Sequence, residues 1–356
     1  MKYSAKQTFI LSGQDCKQII RHYGINDFMD KLIAEIDKAI KIYNPENTII
    51  PVRDGFCYET PNTGLIEWMP LLDKDKQAVI KVVGYHPSNP KINNLPTVLS
   101  TISAYDIASG HLIGIADGVL LTALRTGAAS AVASKYLAHP DSKIFGIVGC
   151  GAQAVTQFHA LSRQFDFEKI LIFDIDTTTM LSFKNRCEQF EIKAQIIPSD
   201  IPEIVSSSDI LCTATSIEVG EGPLFENLPT KSRLHINAVG SDFPGKTELP
   251  LDLLKQSFIC PDFTKQAIAE GECQQLEEGD IDADLTEVVQ NSDKYRGVQN
   301  QRSVFDSTGW ALEDRVVLDL FMNSALELGL GQKIEIEQIS EDAKNPYSFL
   351  SKLVIS

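Results

Sequence analysis

The chain has 356 residues, 43% of them hydrophobic and 22% charged, with a formal net charge of −16 at pH 7. That acidic balance, without any Lys/Arg cluster, excludes a nucleic-acid surface or an anionic-membrane face, since either needs a basic patch. No apolar run of about 18 residues and no apolar core after Met1 suggest a span or a leader, so a cytoplasmic protein is expected.

The length exceeds what a single core usually fills, so two domains are expected. Seven cysteines (Cys16, Cys57, Cys150, Cys187, Cys212, Cys260, Cys273) lack Cys-x-x-Cys spacing, and six histidines lack metal-ligand spacing. Reduced thiols and no metal site are the reading.

In chain order, Phe28, Leu32, Ile33, Ile36 and Ile40 recur on one face of a helix predicted over 26–42. Strand-like runs follow at 48–52, 63–69, 78–85, 97–104 and 112–116, punctuated by turn residues. They predict an antiparallel sheet backed by that helix. A helix rich in small residues is predicted over 126–137.

From there the pattern changes. Short apolar strands at 144–148, 170–173, 194–197, 210–213, 234–239 and 258–260 alternate with helical stretches such as 154–165. Such alternation predicts a parallel sheet with helices on both faces. A last helix over 310–328, closed by Gly329 and Gly331, is expected to return to the first domain. The fold class is therefore α/β, a Rossmann-type doubly wound parallel sheet (129–309) inserted in a split α+β domain. That split domain is made of 1–128 plus 310–356.

The strand at 144–148 runs straight into Gly149-Cys150-Gly151-Ala152-Gln153-Ala154. Glycines at a strand-to-helix turn let the backbone approach a pyrophosphate, which can sit on the N–H groups of the helix N-terminus. The next strand ends in Asp174, where a dinucleotide fold places the acid that holds a ribose hydroxyl. No arginine neighbours Asp174 in sequence, and Asp176 adds negative charge, so NAD is expected over NADP.

Three polar residues stand out beyond this loop. Lys81 interrupts the apolar run Ala78-Val79-Ile80-Lys81-Val82-Val83; it is either a solvated strand lysine or a buried one with a task. Arg125 sits just ahead of the 126–137 helix and reads either as an interdomain ion pair or as an anion site. Asp242 follows the strand at 234–239, where ligands lie in parallel sheets, but could instead open the turn before Pro244-Gly245. Glu67 and Arg53 are weaker candidates by spacing alone.

At this point the residues match a family. The chain resembles the ornithine cyclodeaminase/μ-crystallin family, and bacterial ornithine cyclodeaminases in particular, over nearly its whole length. The likeness is carried by Ile66-Glu67-Trp68-Met69-Pro70, by Lys81 with Gly84-Tyr85-His86-Pro87, by Ala123-Leu124-Arg125-Thr126 and by the glycine turn. The segment Gly240-Ser241-Asp242-Phe243-Pro244-Gly245-Lys246-Thr247-Glu248-Leu249 is more specific than any glycine loop. Gly271-Glu272-Cys273-Gln274-Gln275-Leu276 and Val304-Phe305-Asp306-Ser307-Thr308-Gly309-Trp310-Ala311-Leu312-Glu313-Asp314 close the match.

The resemblance implies that Lys81 and Arg125 hold a substrate α-carboxylate, with Arg53 assisting. The stretch from Asp54 to Ile66 is longer than usual for the family, which bears on the register of Arg53. Asp242 is implied to act on the substrate amino groups, with Glu67 near the substrate. NAD would be held by Thr126, Gly149, Gly151, Ala152, Gln153, Asp174, Thr213, Val239 and Gly240. The implied activity is redox-neutral conversion of L-ornithine to L-proline and ammonia, in a homodimer. Alanine dehydrogenases, ketimine reductases and opine-like synthases of the same family are the alternatives, as is a non-catalytic μ-crystallin-like binder.

Overall fold

Two sheets organise the computed structural model, which describes residues 7–226, 228–348 and 350. The ends of the expected split domain (1–6, 349 and 351–356) lie outside the described residues. The first sheet contains β1 (Thr8–Leu11), β2 (Thr48–Ile49), β3 (Asp54–Tyr58), β4 (Gly64–Asp73), β5 (Gln77–Tyr85), β6 (Val98–Tyr105) and β7 (Leu112–Asp117). Helices α1 (Gly13–Tyr23) and α2 (Ile25–Lys41) follow β1, and a short α3 (Asn89–Ile92) separates β5 from β6. After α4 (Val119–Leu137) comes the second sheet, of β8 (Ile144–Val148), β9 (Lys169–Phe173), β10 (Gln195–Pro198), β11 (Ile210–Thr213), β12 (His235–Ala238), β13 (Phe258–Pro261) and β14 (Ser303–Asp306). Its helices are α5 (Ala152–Ser162), α6 (Thr177–Cys187), α7 (Ile201–Ser207), α8 (Leu251–Leu254), α9 (Thr264–Ala267), α10 (Leu285–Gln290) and α11 (Ser292–Tyr295). Then α12 (Ala311–Leu328) and β15 (Gln332–Ile334) return to the first sheet. Among the described residues no helix is long and apolar enough to cross a membrane.

The second sheet runs β10-β9-β8-β11-β12-β14-β13, with every pair parallel. Sequence pattern misses β14, because Ser303-Val304-Phe305-Asp306 has only two apolar residues between polar ends. All four are nevertheless buried: Ser303 bonds His235 Nδ1 at 2.9 Å, and Asp306 accepts the Cys273 N–H at 2.8 Å.

The first sheet runs β15-β1-β7-β6-β5-β4-β2, with β3 on β4. Its central strands are antiparallel as expected, but β1 lies parallel to β7, so the sheet is mixed. The long excursion through α1, α2 and β2–β6 makes that parallel pairing possible. A four-residue strand at the chain start is too short to show periodicity. Phe28, Leu32, Ile33, Ile36 and Ile40 of α2 are buried together with Phe321 of α12 in the core beneath the sheet.

Strand periodicity assigns the two faces of this sheet. Leu65, Glu67 and Met69 of β4 stand opposite Tyr85, Val83 and Lys81 of β5, all on the inner face. Phe56, Ile66, Val82 and Leu99 share the outer face and are 65%, 40%, 40% and 36% exposed.

Helix α4 joins the two halves, and it begins at Val119 rather than 126. Its Gly118 N-cap makes no side-chain bond, so the sequence carries no start signal. Arg125 and Thr126 therefore sit within a helix, and the expected domain boundary at 128/129 falls inside it. A Cβ at Gly127 would lie 2.4 Å from the Thr156 carbonyl, so glycine is what lets α4 and α5 touch.

Candidate functional site

A cavity of about 340 Å³ opens between the inner face of the first sheet and the carboxyl ends of β8, β11 and β12. Arg53, Glu67, Lys81, Arg125 and Asp242 all line it, as do Thr126, Gly151, Ala152, Gln153, Val239 and Gly240. The volume matches a small-molecule site, and ligands in open parallel sheets bind beyond the strand carboxyl ends.

One end is cationic. Lys81 is 1% exposed, with Nζ 2.9 Å from an Asp314 oxygen, so it is not a solvated strand lysine. Burial, together with the neighbouring Arg125, pulls its ammonium down to about 8 despite Asp314. Arg125 donates to Glu313 at 2.7 Å, and its Nε stands 3.1 Å from Asp314. Burial works against the Asp314 charge, but Lys81 and Arg125 outweigh it and hold its carboxyl low. Glu313, equally buried, is pushed up to about 8.

Arg53 reaches the same end. The long Asp54–Ile66 stretch folds as the β3–β4 hairpin, pairing Gly55 with Glu67. A Cβ at Gly55 would meet the Ile66 carbonyl at 2.5 Å, so a glycine permits that close pairing. The hairpin sets the Arg53 guanidinium 3.1 Å from Glu67 and 3.0 Å from Glu270, and it also donates to the carbonyls of Thr308 and Gly309. Burial lifts Glu270 to about 8, against the pull of Arg53.

The other side is formed by Asp242, whose side chain is 41% exposed and pairs with Lys246 at 3.1 Å. Its position in the loop after β12 is fixed from below by Glu248. That carboxylate accepts the Thr215 N–H at 2.8 Å and the Gly240 N–H at 2.9 Å, tying together the loops after β11 and β12.

The glycine turn fits a dinucleotide. Gly149 has φ +91 and its amide bonds the Phe173 carbonyl at 2.9 Å. Gly151 caps α5 with no side-chain bond and faces open space, leaving the first N–H groups of α5 for an anion. Half-buried Asp174 accepts the amides of Cys150 at 2.7 Å and Asp176 at 2.8 Å, which ties the turn to the end of β9. Its remaining lone pairs are free for a hydroxyl donor.

Gly149, Asp174 and Thr213 do not line the cavity itself. Thr213 is fully buried at the end of β11, and the residues that face the cavity are the next three, Ala214, Thr215 and Ser216. Arg186, distant in sequence, also reaches the turn. Its guanidinium is engaged by the Cys150 and Thr179 carbonyls at 2.7 and 2.8 Å.

A family model described as the ornithine cyclodeaminase/mu-crystallin family matches residues 18–328. The chain belongs to this family. It is 40% identical over 343 residues to an L-lysine cyclodeaminase of Streptomyces rapamycinicus, covering 96% of this chain and 99% of that one. A solved lysine cyclodeaminase, described as recognising L-lysine, L-ornithine and L-2,4-diaminobutyric acid, superposes with a TM-score of 0.92 at 40% identity, covering 96% of this chain and 99% of that one. An archaeal alanine dehydrogenase, solved as a dimer with bound NAD, superposes with a TM-score of 0.82 at 29% identity, covering 93% of this chain and all (100%) of that one. Cyclodeaminases and dehydrogenases thus share this family's scaffold.

Sequence reading assigned no role to Lys246, Tyr85, Glu270, Glu313 or Asp314, which complete the site of this family member. The Glu313-Asp314 pair reads in sequence as ordinary first-turn helix acids. Nothing local shows that both turn inward onto cations.

Proposed function

We propose that this protein is an NAD-dependent cyclodeaminase of L-α,ω-diamino acids, converting L-ornithine to L-proline and ammonia. The observation that carries this reading is a cavity with two chemically different sides, a cluster of buried cations on one and the half-exposed carboxylate of Asp242 on the other. An α-carboxylate suits the first and a distal ammonium the second. Simple alanine oxidation has no use for the second.

Lys81, Arg125 and Arg53 hold the α-carboxylate, which fixes the Cα–H bond in one orientation; ideal orientation is worth about 7–11 kcal/mol of barrier. Gly151, Ala152 and Gln153, with Asp174 behind them, would hold NAD. Bound there, NAD would supply hydride chemistry at Cα with no net redox change, so no external oxidant would be consumed. Asp242 accepts a proton from the distal ammonium, whose nitrogen then bonds to C2 as the α-nitrogen leaves as ammonia. Glu67, held by Arg53, borders the substrate between the two sides.

Lysine as the better substrate is the second reading, favoured by the 40% identity to an L-lysine cyclodeaminase. One methylene changes binding by only about 1–3 kcal/mol, so the two substrates compete closely. The exposed outer face of Phe56, Ile66, Val82 and Leu99 supports a homodimer formed through the first sheet.

The test is product analysis with ornithine and lysine at catalytic NAD. Ring product and ammonia without net NADH are expected, and Asp242→Asn should abolish ring formation while NAD binding persists. Stoichiometric NADH and a 2-oxo acid would instead identify a dehydrogenase. Absence of turnover with any amino acid would leave a binding protein.

A further inference from the structure

Beside Asp242 the cavity holds a fourth cation with no task in that reading. Lys246 is 6% exposed, with Nζ 3.1 Å from an Asp242 oxygen and 3.3 Å from the Tyr85 hydroxyl. Its ammonium also lies 4.7 Å from the centre of the Tyr85 ring. The lysine is thus held in place on two sides while its partner carboxylate stays half-exposed to the cavity.

The ionisable groups facing this end are few. Asp242 and Tyr85 act directly on Lys246, and Glu218 acts on Tyr85 from the loop after β11. Arg53 and Glu270 feel Asp242 from the cationic side. A diamino acid clamped by its α-carboxylate therefore brings its distal ammonium to a carboxylate that already carries one fixed cation.

We propose that Lys246 is a positioning residue for the ring-closing step, standing on Asp242 as a permanent positive charge so that the incoming distal ammonium gives up its proton. This rests on the cyclodeaminase reading. Two cations beside one carboxylate disfavour each other's protonated form, and the weaker holder of its proton yields. Burial opposes the Lys246 charge, but Asp242 and then Tyr85 more than offset it, so its pKa stays above the ordinary lysine value. The substrate amine is the group that yields.

The gain is in nucleophile. A distal amine with an ordinary pKa of about 10.4 is free in roughly one molecule per thousand or fewer near pH 7, and only the free amine attacks. Each unit by which a neighbouring cation lowers that value multiplies the attacking species about tenfold. The step balances. The distal N–H bond breaks, its proton passes to Asp242, and the nitrogen lone pair forms the bond to C2 of the imino acid. A second proton then crosses from the ring nitrogen to the original α-nitrogen, its bond to C2 breaks, and the departing ammonia takes up the proton held by Asp242.

The experiment compares pH–rate profiles of the wild-type enzyme, Lys246→Met and Lys246→Arg on ornithine and lysine. A parallel series reduces a preformed cyclic imine carboxylate with NADH, a reaction that contains no ring closure. In Lys246→Met the alkaline rise for diamino acids should move up by about one unit, with a tenfold loss at pH 7 that recovers near pH 10. Lys246→Arg should retain the wild-type profile, and the imine-reduction profile should keep its shape in both variants. A loss in Lys246→Met that is the same at every pH, or that appears equally in imine reduction, would overturn the proposal. Failure of the wild-type enzyme to form a ring from any diamino acid would overturn the cyclodeaminase reading itself, a separate result.

Discussion

Lys81 and Arg125 meet on a single carboxylate. One oxygen of Asp314 lies 2.9 Å from the Lys81 ammonium and the other 3.1 Å from Arg125 Nε, with all three side chains buried. The two cations come from different elements, β5 and α4, and Asp314 of α12 is the counterion they share. The first sheet and the helix leading into the second are thereby fixed to each other at the wall of the cavity.

Replacing Asp314 with Asn should therefore cost more than a surface ion pair. Removing one partner of a buried pair typically costs about 3–5 kcal/mol, because an uncompensated charge remains. The expected outcome is a lowered midpoint in chemical denaturation together with a raised KM for the amino acid. A raised KM alone, with stability unchanged, would mean that water reaches the two cations.

The pH dependence of substrate affinity follows from Lys81. Its ammonium is held at about 8, below the ordinary 10.5, chiefly by burial. It therefore loses its charge as pH rises through about 8, and α-carboxylate binding should weaken above that pH. Lys81→Arg keeps a cation throughout, so its kcat/KM should show no break near pH 8 even though its KM rises.

Stability should show the opposite kind of linkage through Glu270 and Glu313. Both carboxyls are raised by burial from 4.5 to about 8. The folded protein thus holds their protons where the unfolded chain has lost them, so their contribution is complete below about pH 4.5 and is lost as pH rises through about 8. Glu313→Gln should flatten the fall of denaturation free energy across that window. An unchanged slope would show that Glu313 is ionised throughout beside Arg125.

How much of this was legible in sequence depends on how local each signal is. The strands β8, β9 and β11 are short apolar runs broken by turns, so their alternation shows the parallel sheet directly. By contrast, β14 has two apolar residues between Ser303 and Asp306, whose burial depends on partners elsewhere. Lys81 was visible as an anomaly in an apolar run, but its burial was not. The counterion that makes it tolerable, Asp314, lies 233 positions away. Arg53 became placeable only once the β3–β4 hairpin fixed its register against Glu67. Lys246 lies within a family motif, yet nothing local to it shows that it meets Tyr85 of the first sheet.

The two glycines of the turn should separate folding from cofactor binding. Gly149 has φ +91, and a Cβ there would sit 2.6 Å from the Ala214 carbonyl, so Gly149→Ala strains the backbone and pushes β8 from the loop after β11. The left-handed backbone alone costs about 1–2 kcal/mol, and the contact adds to it. Gly151 is different: its backbone is extended, and a Cβ would meet nothing within 4 Å. Gly151→Ala should keep the wild-type denaturation midpoint while its methyl occupies the space bordering the N-terminus of α5. NAD affinity, measured by calorimetry, should then fall by about tenfold or more in Gly151→Ala without loss of stability, since an anion on those N–H groups needs close backbone approach. Unchanged affinity in Gly151→Ala would place the pyrophosphate elsewhere and remove the turn from the cofactor site.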